Sequence, residues 1–494
     1  METPTEKLKV VIAGGGTAGW LAAAALTRQL AGFLDITLIE SEEIGTVGVG
    51  ESTIPPMKTF HRMLRIDEQE FMKATHATFK LGIQFENWKT EGDRYFHSFG
   101  TVGKGTLITE FIHFWLRGRE LGIASDFGDY CLEYKAALEG RCSIYCEQKI
   151  NHAFHLDSGL YAGFLRAIAE PYGMKREEGK IVQVAQDPTT GFITSIKLDS
   201  GKEVNGDFFI DCTGFRGLLI EHTLHAGYED WSHWLPCDKA VVVQTESVGP
   251  AMPYTRVVAH KAGWRWRIPL QHRVGNGVVY CNRYMSDDEA TSKLLADVEG
   301  RPITEPRIIP FRAGKRRKNW SKNCVAIGLA SGFLEPLEST SIHLVMTALT
   351  RILQLFPQQN IPASAIEEYN NQAASEIEKI RDFIILHYKL TERDDSPFWR
   401  HCKNMEIPES LSHRIKLFKE IGRSFQTEGE LFRLDSWTQV MMGQGLYPEQ
   451  YHPIVNTMNP TDLRQLLMGL QKNVAGMVDQ MPSHDDFVRR YCGI

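Results

Sequence analysis

The chain has 494 residues, enough for one large core or two to three smaller ones. A net charge of −6, with 43% hydrophobic and 23% charged residues, argues against nucleic acid or an anionic membrane as the main partner. No apolar run approaches the roughly 20 residues of a spanning helix, and METPTEKLKV has no signal-peptide core, so the expected location is the cytoplasm.

In chain order, the first signal is Val10–Trp20, VVIAGGGTAGW. A β-branched run (Val10–Ile12) leads into Gly14-x-Gly16-x-x-Gly19 and an Ala/Leu-rich helical pattern. The glycines serve a tight turn, close backbone approach to a pyrophosphate and close helix–strand packing. A helix starting near Thr17 aims free N–H groups and its positive dipole end at the phosphates. The apolar run Ile36–Ile39 ends at Glu40, about 20 residues on, where an acid that holds a ribose hydroxyl belongs. Together these predict a dinucleotide without saying which. The next stretch, SEEIGTVGVGESTIPPM, is dense in Gly, Ser and Pro and reads as a loop, either against the cofactor or an exposed connection.

From Phe71 to Trp88 the pattern turns to period two, with Leu81, Ile83 and Phe85 on one face. Lys80, Gly82, Gln84 and Glu86 share the other, which faces solvent or a polar cavity. Residues 90–160 show no domain break. The nine cysteines are irregularly spaced and suggest free thiols in a reducing compartment. Cys142 and Cys146 have no answering second pair, so no metal is expected. Ile181–Val184 and Ile193–Leu198 read as a hairpin. Phe208–Gly214 reads as a buried strand ending in an acid and a glycine turn. Ala240–Gln244 and Gly277–Tyr280 read as strands, with GWRWRIP (Gly263–Pro269) between them. Its two tryptophans share one face, as core packing or as a wall beside a flat ring system. The basic run Lys315–Lys318 reads as a solvated loop.

In Cys324–Leu344 a strand (Val325–Ile327) meets Gly328, a loop, and then Ser339 and Thr340 as N-caps at the mouth of a helix. The N–H groups just past them suit a small anion. Glu338, directly before, reads on residue type as a first-turn acid favoured by the helix dipole. Beyond about residue 344 the chain is mostly helical, and Ile366, Tyr369, Ala373, Ile377, Ile380 and Ile384 form one apolar stripe of core type.

The set GGGTAGW, GVGESTIPPM, Lys80 before an alternating strand, FFIDCTGF, GWRWRIP, GFLEPLESTSI and Arg381–Trp399 resembles the flavin-dependent tryptophan halogenase family, in its order and over nearly the whole chain. The resemblance implies an α/β fold: a Rossmann-like FAD-binding module with additional β-sheet, covered by a mostly helical C-terminal layer. The expected division is a discontinuous module with interleaved substrate-side segments over 1–350 and the helical layer over 351–494, with the substrate pocket between them. The cofactor it implies is FAD, supplied as FADH2 by a separate NAD(P)H-dependent flavin reductase. The implied FAD-binding residues are Gly14, Gly16, Thr17, Ala18, Gly19, Glu40, Gly50, Ser52, Thr53, Ile54, Val182, Gly328 and Leu337. Trp264, Trp266 and Pro269 would lie near the flavin and keep substrate away from it. Thr340 and Ser341 would hold chloride or bromide through backbone N–H groups. Reduced FAD and O2 would turn the halide into hypohalous acid, which passes down a tunnel to the catalytic Lys80. Glu338 would support the cationic ring intermediate and Ser339 would help place the oxidant. Gly328-Leu329 stands where many aromatic hydroxylases of the wider fold carry Gly-Asp, and Ser341 stands where members acting on free tryptophan carry Gly. The implied substrate is therefore an indole or another small electron-rich aromatic. A two-component FAD-dependent aromatic monooxygenase and a non-catalytic flavin-binding redox protein are the alternatives. A homodimer is one of the open oligomeric states.

Overall fold

The computed structural model describes residues 7–43, 48, 50–358 and 360–493. Residues 44–47 and 49 of the loop expected after Glu40 lie outside the described residues. The fold is α/β, and the chain divides into two compact units, each built from three separated segments.

The first unit comprises Met1–Ala77, Leu156–Pro236 and Phe311–Glu378. Its six-stranded sheet runs Trp320–Ser321, Cys324–Ala326, Phe208–Asp211, Leu8–Ala13, Leu34–Glu40, Lys175–Glu178. All neighbours are parallel except the edge pair Trp320–Ser321 with Cys324–Ala326. The central strand Leu8–Ala13 is buried from Val10 to Ala13, as a strand covered on both faces must be. The chain leaves it for Leu34–Glu40 on one side, while Phe208–Asp211 lies on the other. Its carboxyl end is thus a point where the strand order reverses, the place where open α/β sheets bind ligands. The predicted hairpin forms from Ile181–Gln186 and Ile193–Leu198.

The basic run corrects the expectation of a solvated loop. Lys315 and Arg316 are buried in the strand Gly314–Arg316, and only Arg317 and Lys318 are exposed. The two cations are paired: Lys315 with Glu378, and Arg316 with Glu221 at 2.5 Å and with the Ala330 carbonyl at 2.9 Å. Composition cannot reveal such pairing, because the acids come from distant parts of the sequence.

The second unit comprises Thr78–His155, Cys237–Pro310 and Lys379–Ile494. Residues 351–378 go with the first unit and 379–494 with the second. The second unit's seven-stranded sheet runs Arg307–Pro310, Lys239–Thr245, Val274–Tyr280, Gly263–Pro269, Thr255–His260, Gly82–Glu86, Arg94–Ser98. Only Thr255–His260 with Gly82–Glu86 is parallel. Aromatic packing ties the late helices to this sheet. Phe85 stacks on Tyr95 (4.7 Å between centroids) and on His387 (4.6 Å), and the Tyr95 hydroxyl bonds to His387 Nδ1 at 2.7 Å. Gln439, in the helix Leu434–Gly443, accepts from the Ser98 amide (3.0 Å) and hydroxyl (2.8 Å).

The alternating stretch is two strands, not one. Thr78–Lys80 pairs with Ala153–Leu156, whereas Gly82–Glu86 enters the large sheet. The break falls at Leu81, whose N–H donates to the Pro253 carbonyl at 2.7 Å rather than into either ladder. Both faces expected of the alternation are buried apart from a half-buried Gln84, which removes solvent as the destination of the polar one.

Candidate functional site

In the first unit the glycine turn follows Leu8–Ala13 and opens the helix Thr17–Leu30. Gly14 has φ +113°, and a Cβ there would lie 2.3 Å from the Cys212 carbonyl oxygen. A Cβ at Gly19 would lie 1.8 Å from the Gly14 carbonyl oxygen, so this glycine permits the close crossing of turn and helix. Gly16 differs: a Cβ there would meet nothing within 4 Å. Gly16 is also the N-cap and has no side chain to satisfy the first N–H groups of the helix. Open space at the uncapped start of a helix fits a pyrophosphate.

Glu40 lies beside this turn. It accepts from Trp20 Nε1–H at 3.2 Å, and a Cβ at Gly15 would lie 1.8 Å from its Oε2. It is also paired with Arg176, which reaches Glu178 (2.9 Å) and Glu42 (3.1 Å) as well. The Glu40 hydrogen bond raises the Arg176 pKa, which keeps that charge fixed. Sequence reasoning missed Arg176, because its strand Lys175–Glu178 reaches the sheet edge from far along the chain. Ser52, Thr53 and Ile54 are buried after Gly50 (φ +121°). Glu51, half-buried as a residue, has its carboxyl pushed up to about 7 by burial of that group. Val182 stands apart, 59% exposed on the hairpin strand Ile181–Gln186.

The turn after Cys324–Ala326 meets the start of the same helix. Gly328 has φ +62°, and a Cβ there would lie 2.9 Å from Ala18 Cβ and 3.5 Å from Val345 Cγ2. Pro336–Glu338 forms a 3-10 turn in which Leu337 and Glu338 are buried. Ser339 is left-handed (φ 60°, ψ 38°), a conformation costing about 1–2 kcal/mol for a residue with a Cβ. Thr340 is the N-cap of Ser341–Gln354, but its backbone is helical (φ −93°, ψ −7°) and its side chain makes no capping bond. This corrects the expectation of Ser/Thr capping: a capping side chain needs the extended backbone that neither residue has. The first N–H groups of the helix therefore have no N-cap side chain bonded to them. The helix is held from its flank by Glu376, which pairs with His343 Nε2 (3.1 Å), Thr347 (3.0 Å) and Arg351. Burial, then the Arg351 charge, lowers the His343 pKa to about 4. Asp211, the acid ending Phe208–Asp211, accepts from Thr213, Leu219 and Ile220, a structural role.

In the second unit Lys80 is 0% exposed, with Nζ 5.1 Å from the Phe99 ring centroid. Thr78, on the same side of the short strand, donates its hydroxyl to the Pro269 carbonyl at 2.8 Å and meets His155 Nδ1 at 3.2 Å. His155 Nε2 meets the Thr255 hydroxyl at 2.9 Å. Burial first, then the Lys80 charge, hold the His155 pKa well below the usual histidine value. The ring whose charge the lysine opposes is thus neutral rather than a second cation. Thr78 also ties this strand to the end of GWRWRIP. On that strand Trp264 is buried and Trp266 half-buried, with ring centroids 5.9 Å apart. Trp266 lies over Gly277, where a Cβ would come within 2.2 Å of its ring. Alternation sends the arginines to the opposite face, Arg265 to Asp297 (3.6 Å) and Arg267 to Glu299 (3.3 Å). His155 carried no sequence signal, since a lone histidine in an apolar strand reads as core.

The cofactor-type residues and Glu338–Ser341 thus belong to the first unit, and Lys80, Trp264, Trp266 and Pro269 to the second. No group of three metal-type side chains occurs among the described residues. No described helix is long and apolar enough to cross a membrane.

A family model described as tryptophan halogenase matches residues 9–460. The tryptophan 7-halogenase RebH of Lentzea aerocolonigenes is 32% identical, covering 98% of this chain and 99% of its own. Among solved structures, a flavin-dependent halogenase from Xanthomonas campestris is 54% identical, with a TM-score of 0.97 and 98% of each chain covered. The flavin-dependent halogenase BrvH from Brevundimonas sp. BAL3 is 44% identical, with a TM-score of 0.94 over 99% of this chain and 100% of its own.

Proposed function

The chain belongs to the tryptophan halogenase family, and from that premise we propose that it halogenates an indole or similar electron-rich aromatic at Lys80 with oxidant generated at FAD. It is a flavin-dependent halogenase, an enzyme using FADH2, O2 and halide.

FAD suits the donors present: the uncapped N–H groups at the start of Thr17–Leu30 would take its pyrophosphate at the open space beside Gly16, and Glu40, beside the turn, would take a ribose hydroxyl. In our reading Gly50, Ser52, Thr53, Ile54, Val182, Gly328 and Leu337 complete the cofactor contacts. Bound as FADH2, the cofactor supplies two electrons, so that FADH2, O2, halide and a proton give FAD, water and hypohalous acid. The backbone N–H groups of Thr340 and Ser341 would hold the halide. The Trp264–Trp266 face would exclude the aromatic from the flavin.

Lys80 would orient and polarise the hypohalous acid, as an ammonium donating to its oxygen or as an amine taking up the halogen. A lysine can do either, whereas a guanidinium cannot shed its proton. Glu338 would stabilise the cationic ring and accept the proton that leaves the halogenated carbon, with Ser339 helping to place the oxidant. A separate NAD(P)H-dependent flavin reductase would supply FADH2, and we place the reaction in the cytoplasm.

The observation that carries this reading is the enclosure of Lys80, fully buried over the Phe99 ring. Burial this complete is rare for a lysine, and it keeps bulk water from an electrophile held at that nitrogen. The experiment is a mass-spectrometric screen of indoles, phenols and pyrroles with FADH2, O2 and either bromide or chloride. The expected product carries the bromine isotope doublet and is absent without halide. An oxygenated product independent of halide would replace this reading with a monooxygenase.

A further inference from the structure

One histidine of the second unit has no part in the proposed reaction. His484 is the first residue of the helix His484–Cys492, whose start is fixed by Ser483 accepting from the Asp486 N–H at 3.2 Å. His484 is 1% exposed, with Nε2 3.2 Å from the Phe79 nitrogen and Nδ1 2.5 Å from the Ala251 carbonyl oxygen. An amide N–H can only donate and a carbonyl can only accept. The ring is therefore neutral, with its proton on Nδ1 and the Nε2 lone pair taken by Phe79. Burial favours the same neutral form.

Phe79 immediately precedes Lys80. The residue that follows, Leu81, donates its N–H to Pro253 at 2.7 Å. Asp485 accepts from the Ala251 N–H at 3.0 Å, so the helix start grips both backbone groups of Ala251. Both neighbours of Lys80 are thus tied to residues 251–253, Leu81 directly and Phe79 through His484. The Phe79 side chain, opposite Lys80 on the strand, packs on Phe487 (5.3 Å) and Tyr491 (5.6 Å) of the same helix. The strand Thr78–Lys80 has only three residues, so its ladder with Ala153–Leu156 does little to fix where the lysine points.

We propose that His484 is a positioning residue for Lys80: its neutral ring takes the Phe79 N–H and thereby sets the direction of the lysine on the next residue. This inference rests on the reading of Lys80 as the residue that presents the halogen to the aromatic. Without the ring acceptor the Phe79 N–H is buried unpaired, and the strand turns to satisfy it.

The test uses the full chain and two variants. His484→Gln keeps one donor beside one acceptor, and His484→Phe keeps the ring while removing both. In His484→Phe, bromination kcat should fall at least about tenfold, with the aromatic KM within about twofold and FADH2 reoxidation unchanged. Hydrogen exchange of the peptide around Phe79 should quicken about tenfold. His484→Gln should restore slow exchange and bring kcat to within about threefold of wild type. Wild-type bromination by His484→Phe overturns the proposal, and so does equal loss in both variants with protection lost throughout the unit. Lys80→Ala run alongside separates the two readings. Unimpaired bromination there removes the lysine role and this proposal with it, whereas loss there with an active His484→Phe removes this proposal alone.

Discussion

The glycine turn of the first unit and the lysine strand of the second hold their functional groups in opposite ways. The turn works by omission: Gly14 and Gly19 admit backbone where a Cβ would collide, and Gly16 leaves the helix start uncapped beside open space. The strand works by attachment. Thr78 is bonded to Pro269, Phe79 to His484 and Leu81 to Pro253, with the lysine between them. A polyanion can be recognised by main-chain donors alone, so almost any side chain there is an obstruction. Delivering one reactive nitrogen requires a side chain whose direction is set from both ends.

The contrast can be broken hardest on the strand side. Lys80→Ala and Lys80→Arg should each lower brominated product more than about a hundredfold, the first for want of nitrogen and the second because a bulky planar guanidinium neither sits where the compact ammonium does nor releases a proton. Glu338→Gln should lower kcat about thirtyfold, or about 2 kcal/mol of transition-state stabilisation, with FAD retention unchanged in a fluorescence titration. On the turn side, Gly16→Ala should fold normally, because its Cβ meets nothing and φ is −73°. It should weaken FAD binding about tenfold by intruding on the space before the helix.

The smallest effect concerns the buried titrating groups. Burial lowers His61 and His260 to about 3 and His343 to about 4, so each stays neutral in the folded chain while its unfolded form protonates near 6.5. The unfolded state therefore binds more protons below pH 6.5, and stability falls as pH falls through that value. Between pH 7 and 6 these three cost together about 2 kcal/mol, while Glu51, raised to about 7, regains about 1 kcal/mol on protonation. His155 and His484, also held neutral by burial, add in the same direction, so the unfolding midpoint of the apoprotein should drop by an amount equivalent to at least about 1 kcal/mol over that interval, and a midpoint that rises would reverse this sign.

The turn was readable in the sequence because its physics is local. Gly14, Gly16, Gly19 and Glu40 are spaced along one strand–helix–strand unit, and the structure forms that unit with Glu40 beside the turn. The lysine site was readable only through resemblance. Its alternation hid a strand break at Leu81, and its attachments come from Pro253, Pro269, His155 and His484, none near Lys80 in sequence. The left-handed Ser339 had no signal either, since serine is not a residue that announces positive φ. Lys315 and Arg316 misled for the same reason as Arg176: charge runs are judged by their neighbours, and their acids are remote.

The most direct measurement records two rates in one reaction of Lys80→Ala with FADH2, O2, bromide and indole: flavin reoxidation by absorbance and bromoindole by mass spectrometry. Reoxidation at the wild-type rate with no bromoindole is the predicted result. Bromoindole formed at the wild-type rate would contradict the account, because the buried nitrogen at position 80 would then have no part in moving the halogen.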